Sequence, residues 1–269
     1  MNAAGMRRLQ LHQRVGCWSS RGVRGALRRL ELVLTPCIVS HPPVESAALV
    51  TPANERLDGT QFTPAEAEAQ LPGARASAIV YPCQTVDGLV HEFGGAELLR
   101  LAHAVPYQRG GDLGERCRVG HAVCTPAAGE LLDSYQYVVH AVAPVYPHAP
   151  AYTSAGADGR VGAWRRLMVS TYHSALTAAA EASISSLAIP LLGAGARGAP
   201  VEDAARAAAH ALLYWRGGTD VLHVVHVAVQ RDDIAEALLC AIDSEMNSAP
   251  AAQAWQRDGP ASERFEDAS

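Results

Sequence analysis

The chain has 269 residues, 49% apolar and 18% charged, with 22 Lys and Arg against 27 Asp and Glu, a formal net charge of −5. That is enough apolar matter for a sizeable core and excludes a chain without fixed structure, while the mild negative balance leaves no electrostatic footprint for nucleic acid or an anionic membrane. Cys17, Cys37, Cys83, Cys117, Cys124 and Cys240 form no CxxC pair and no zinc-type spacing with histidine, so they read as reduced thiols of an intracellular protein. No run approaches the ~20 apolar residues that a membrane span requires.

Residues 1–29 carry Arg7, Arg8, Arg14, Arg21, Arg24, Arg28 and Arg29, and no acid precedes Glu31. This stretch reads either as an organellar transit peptide or as a basic arm, which leaves the compartment, cytoplasmic or organellar, open. The folded domain is expected over 30–246. It opens with strand Leu30–Leu34, ending at Thr35-Pro36, and a second short strand, Ala47–Val50, runs into Thr51-Pro52-Ala53-Asn54. An excursion at 59–82 comes next, then a helix over 86–104 with Gly94-Gly95 as a weak point. Strands are expected over 119–125 and 137–142, and a Pro/Gly-rich loop over 147–162. The remaining elements are helix 164–182, strand 187–192, a glycine loop, helix 201–215, strand 221–229 and helix 234–246. Helix 201–215 has Pro200 before it, Glu202 and Asp203 in its first turn and Gly217 past its end. The polar residues 247–269 are expected to form a structureless tail. Alternating strands and helices around the apolar strand 187–192 imply a three-layer α/β/α sandwich with a mixed, mainly parallel sheet.

Gly193-Ala194-Gly195-Ala196-Arg197-Gly198 is a GxGxxG pattern between a strand and a helix. Glycines let backbone N–H groups approach a diphosphate, and the following helix presents a positive dipole end. The structural alternative is a tight turn that needs glycine. A nicotinamide-dependent oxidoreductase fits poorly, because that fold opens with its glycine turn and carries an acid about 20 residues later; here Asp232 and Asp233 come too late. No HExxH, Walker loop or GxSxG elbow is present, so no metal and no cofactor is expected. His223 and His226, three apart on an expected strand, face opposite sides and cannot share a metal.

Five stretches occur in the order found in the macro domain family. Val50-Thr-Pro-Ala-Asn54 is similar to its V-N-[AP]-A-N; Val86-Asp-Gly-Leu-Val-His91 with Gly95-Ala-Glu-Leu98 to its V-D-G-A-I-H…G-P-E-L; Gly120-His-Ala-Val123 to its G-x-A-x-x-T strand. Val138-Val-His-Ala-Val-Ala-Pro144 is similar to V-I-H-A-V-G-P, and Ile189–Gly195 with Gly198-Ala-Pro200 to F-P-x-[IL]-[GS]-T-G-x-x-G-[FY]-P. The resemblance covers roughly residues 31–240. It implies a module that binds ADP-ribose or ADP-ribosylated protein and either hydrolyses an ADP-ribosyl bond or O-acetyl-ADP-ribose, or binds without catalysis. By this resemblance Asn54 would bond the distal ribose hydroxyls and Asp87 would activate a water, making these the catalytic candidates. Gly193, Ala194, Gly195, Ala196, Arg197 and Gly198 would cradle the diphosphate. On the residues alone, the alternatives are Asn54 as a turn residue after a strand and Asp87 as a helix cap. His91 and His140 read as structural histidines, and Cys83 has no matched base partner.

The departures fall at both ends of the ligand. Tyr81-Pro-Cys-Gln-Thr85 stands where hydrolytic members carry glycines, no acid follows the first strand to hold adenine, and Gln230 and Arg197 replace aromatic residues. Arg197 either pairs with phosphate or is a solvated loop charge.

Overall fold

The computed structural model describes residues 13–20, 27–43, 46–60, 85–108, 114–147, 157–217, 221–248 and 254–258. Eight strands form one sheet: β1 (Gln13–Ser20), β2 (Arg29–Leu34), β3 (Ala48–Pro52), β4 (Ala122–Pro126), β5 (Tyr137–Ala141), β6 (Ser186–Pro190), β7 (Val224–Val229) and β8 (Trp255–Arg257), in the spatial order β4-β5-β3-β6-β7-β2-β1-β8. The central pairs β5–β3, β3–β6, β6–β7 and β7–β2 are parallel, and β4–β5, β2–β1 and β1–β8 are antiparallel. Among the described residues the helices are α1 (Val86–His103), α2 (Ala157–Glu181), α3 (Val201–Tyr214) and α4 (Asp232–Ser248), with a short 3-10 turn at Gly129–Asp133.

Side-chain alternation in the strands splits the core in two. Val50, Leu187, Ile189, Val225 and Val227 join Leu30 and Leu32 beneath α2, α3 and α4. Leu49, Val138, Ala188 and Ala228 point the other way, onto α1 and the 3-10 turn. The result is the expected α/β/α sandwich, with a parallel centre buried on both faces. Alanine dominates the inner side of α3, where Ala204, Ala205, Ala207, Ala208, Ala209 and Ala211 are all buried. Small side chains bring this helix close to its neighbours at little conformational cost.

Several boundaries move. Residues 13–20, expected within a basic arm, form β1, whose Trp18 is fully buried; Trp255–Arg257, expected in a structureless tail, form β8 on its outer edge. Helix α2 starts at Ala157, inside the loop expected over 147–162. The weak point in α1 is real: Gly95 adopts φ 59 and ψ −159, and the helix kinks there. The excursion falls largely on residues 61–84, outside the described residues, as do residues 1–12. No helix among the described residues is long and apolar enough to cross a membrane.

Candidate functional site

Strands β3 and β6 lie side by side and run parallel, but the chain leaves them in opposite directions. After β3 it goes to α1 on one face, and after β6 it passes through the glycine loop to α3 on the other. That divergence opens a crevice at the carboxyl ends of the strands, where ligands of open α/β sheets bind. A cleft of about 1000 Å³ occupies it, lined by Pro52–Arg56, Asp58–Thr60, Thr85–Asp87, Glu115, Val119, Val145, Pro190, Leu191, Gly193 and Gly195–Arg197. Asn54, Asp87 and most of the glycine loop, distant in sequence, therefore face one space.

The glycine loop is shaped by its neighbours. Gly193 has φ +88, and a Cβ built there would lie 2.5 Å from Cε of Met168 in α2. Gly198 has φ +75, and its N–H donates to the Gly195 carbonyl at 2.9 Å, while Ala199 N–H reaches the Gly193 carbonyl at 3.0 Å. These bonds curl the loop on itself. Among the described residues none accepts a bond from the N–H groups of Ala194, Gly195, Ala196 or Arg197. A Cβ at Gly195 would meet nothing within 4 Å. An acceptor-hungry backbone beside open space is what an anion cradle requires.

Asp87 sits in the first turn of α1, on the stripe Asp87, His91, Gly94, Leu98 and Ala102 that faces the sheet. The cap of this helix is Thr85, whose Oγ1 accepts from Gly88 N–H at 3.0 Å, so the reading of Asp87 as the cap is corrected. The Asp87 carboxylate instead accepts from Thr51 Oγ1 at 2.9 Å and from Thr60 Oγ1 at 3.1 Å. Burial raises its pKa, and the nearby His91 and the two threonine bonds only partly oppose that rise. His91 Nε2 stands 4.0 Å away, and burial lowers the pKa of that imidazole. Behind it His140, fully buried, shares a 2.9 Å hydrogen bond between Nε2 and Thr125 Oγ1, and burial pulls its pKa down to about 3. Burial disfavours the charged form of both rings, so His91 offsets only part of the rise at Asp87.

Asn54 is turned towards its own loop. Its Oδ1 accepts from Arg56 N–H at 3.1 Å and Asp58 N–H at 3.4 Å, and its Nδ2 donates to the Gly59 carbonyl at 2.8 Å. These bonds hold a turn in which the buried Leu57 adopts φ 61. Arg197 reaches across the cleft, with Nη2 3.5 Å from both the Ala53 carbonyl and Glu55 Oε2, so it is not a freely solvated loop charge. Cys83 lies outside the described residues. Thr51, Thr60 and Glu55 were not legible as site residues, whereas the i,i+4 spacing of Asp87 and His91 on one helix was a usable signal.

The macro domain model matches residues 50–208, from β3 into α3, which includes both Asp87 and the glycine loop. The chain belongs to the macro domain family. A macro domain-containing protein of Caldanaerobacter subterraneus is 32% identical over 139 residues, 52% of this chain and 69% of that protein. One from Streptomyces griseus is 33% identical over 128 residues, 48% of this chain and 62% of its own length, so the chain spans a little under two thirds of that relative. The Oceanobacillus iheyensis macrodomain with ADP superposes with a TM-score of 0.58 at 19% identity, covering 86% of this chain and 98% of that one. A Trypanosoma brucei macrodomain in complex with ADP gives 0.53 at 19% identity, covering 79% and 68%. The macro domain fold also disposes of the oxidoreductase alternative: the strand order differs from the 3-2-1-4-5-6 of dinucleotide-binding sheets, and the glycine loop follows the sixth strand rather than the first. Among the described residues no group of three His, Cys, Asp or Glu side chains could hold a metal.

Proposed function

We propose that the cleft binds the ADP-ribosyl group, its diphosphate on Gly193–Gly198 and its distal ribose towards Asp87, and that Asp87 activates water for hydrolysis of an ADP-ribosyl bond or of O-acetyl-ADP-ribose. The observation that carries this reading is that Gly195, Ala196 and Arg197, whose N–H groups have no acceptor among the described residues, and Asp87, a buried carboxylate with a raised pKa, line one crevice. A Macro family match and a solved macrodomain mutant with ADPR support the choice of ligand class. The volume falls in the range of small-molecule sites.

In the reaction, Asp87 accepts a proton as water oxygen bonds to the anomeric carbon or the ester carbonyl. The bond to the leaving oxygen breaks, and the proton is returned to that oxygen. A carboxyl pushed above its ordinary range is a better-matched base near neutrality. Thr51 and Thr60 fix the carboxylate plane, so proton transfer needs no side-chain search.

A second reading, binding without catalysis, is favoured by Asn54, whose amide is engaged three times within its own loop rather than offered to a ribose. Incubation with a mono-ADP-ribosylated protein separates the two. Release of ADP-ribose that is lost in Asp87→Ala supports hydrolysis. Binding of free ADP-ribose by calorimetry with no release from any substrate supports the binding module, and no binding at all overturns both.

A further inference from the structure

Arg197 and Glu55 project from different walls of the cleft. Glu55 follows β3, and its backbone carbonyl is fixed by N–H groups of Arg116 at 2.8 Å and Cys117 at 3.1 Å. Arg197 belongs to the glycine loop, and its carbonyl accepts from Tyr146 N–H at 2.8 Å. Both main chains are held, yet the side chains meet loosely, at 3.5 Å, with 22% and 35% of their surfaces exposed. A charge-assisted bond between guanidinium and an oxyanion closes at about 2.7–2.9 Å when its geometry is good. The guanidinium thus spans the crevice beside the open cradle at Gly195 while making two long contacts.

We infer that Arg197 and Glu55 form an exchangeable latch over the cradle: an entering diphosphate takes the guanidinium from the Glu55 carboxylate, and Arg197 becomes a phosphate ligand. The inference rests on the diphosphate reading of the cleft. The chemistry favours the exchange, because a phosphate accepts a guanidinium bidentately, whereas Arg197 meets the Glu55 carboxylate through one nitrogen, Nη2. It needs only a side-chain rotation, since neither loop has to move. Glu55 then acts against the ligand in two ways: it occupies Arg197 in the free protein, and it leaves a negative charge near the bound phosphates. Free nucleoside, lacking phosphate, cannot open the latch, so the pair makes the cleft selective for the phosphorylated form.

The test is a double-mutant cycle read by calorimetry with ADP-ribose on the full chain, using Glu55→Gln, Arg197→Gln and the double variant. The latch predicts that E55Q binds about three- to fivefold tighter, the scale of a partly exposed ion pair, and that R197Q binds more weakly. It also predicts that E55Q tightens binding clearly less in the R197Q background, where only the repulsion between Glu55 and the phosphates is left to relieve. Equal tightening in both backgrounds would mean that Glu55 only repels the ligand, and would overturn the latch. So would wild-type binding that E55Q leaves unchanged or weakens. Absence of ADP-ribose binding by all four proteins would overturn the ligand assignment itself, and the latch with it.

Discussion

At the scale of single residues, the site sets buried polar groups against stability. The folded-state pKa of Asp87 lies above its unfolded value, so the native protein holds that proton more tightly. The stability this brings is full at low pH and is lost as pH rises through the folded pKa, which makes the ionised carboxylate a liability near neutrality. Asp87→Asn keeps the shape and can still bond to Thr51 and Thr60. It is expected to raise Tm by a few degrees, on the order of 2–4 °C for each kcal/mol recovered, and, on the proposed reaction, to abolish hydrolysis. Calorimetric scanning beside an ADP-ribose release assay checks both halves, and a variant that loses Tm would contradict the burial argument. His140 works in the opposite direction. Held at about 3 against 6.5 for an ordinary imidazole, it stays neutral in the native state while the unfolded chain takes up a proton. Stability therefore falls as pH drops from about 6.5 towards 3, by up to about 1.4 kcal/mol per unit. His140→Gln should remove close to one proton from the slope of unfolding free energy against pH, measured by urea titration between about pH 4 and 6.5.

At the scale of elements, the glycine loop separates two roles of glycine that its pattern alone merges. Gly193 is needed by the fold: φ is +88, and a methyl group would strike Met168 of α2. Gly195 is not needed by the fold: it borders the cleft, with no positive φ and empty space where a Cβ would lie. Gly193→Ala is accordingly expected to destabilise the protein by about 1–3 kcal/mol. Gly195→Val should leave Tm within a degree or so and lower ADP-ribose affinity by tenfold or more, because it fills the cradle rather than straining it. Denaturant titration and calorimetry on both variants would expose the error if their effects were reversed. The existence of the loop, its flanking strand and its helix could be read from sequence because all three signals are local: an apolar run, a glycine cluster, and Pro200 followed by two acids. The Asp87 contacts could not. Thr51 and Thr60 lie 36 and 27 residues before it, and only the packing of α1 on β3 brings them together. The same holds for Arg197 and Glu55, whose meeting across 142 residues follows from the adjacency of β3 and β6.

At the scale of the molecule, the two outermost strands explain what sequence periodicity missed and what holds the sheet edge. β1 mixes Arg14 and Ser19 with the fully buried Trp18, and β8 is three residues long, so neither presents a clean alternation. Each is specified by its partner: β8 pairs with β1, and β1 pairs with β2. What fixes β8 is Trp255, 4% exposed, whose indole N–H donates to the Leu213 carbonyl at the end of α3 at 3.0 Å. That bond ties the C-terminal strand to a helix whose N-terminus abuts the glycine loop, yet the contact itself is at the far end of α3 from the cleft. Trp255→Ala removes a large buried side chain and one hydrogen bond, and is expected to destabilise the protein by about 3–5 kcal/mol. Because β8 lies at the sheet edge, four strands from β6, any affinity of the cleft for ADP-ribose, per folded molecule, should stay within about twofold of wild type. Chemical denaturation paired with calorimetry at low temperature tests the separation. A variant that keeps its stability would show that β8 is not anchored by Trp255, and one that stays folded but loses the ligand would show that the sheet edge and the cleft are coupled through α3.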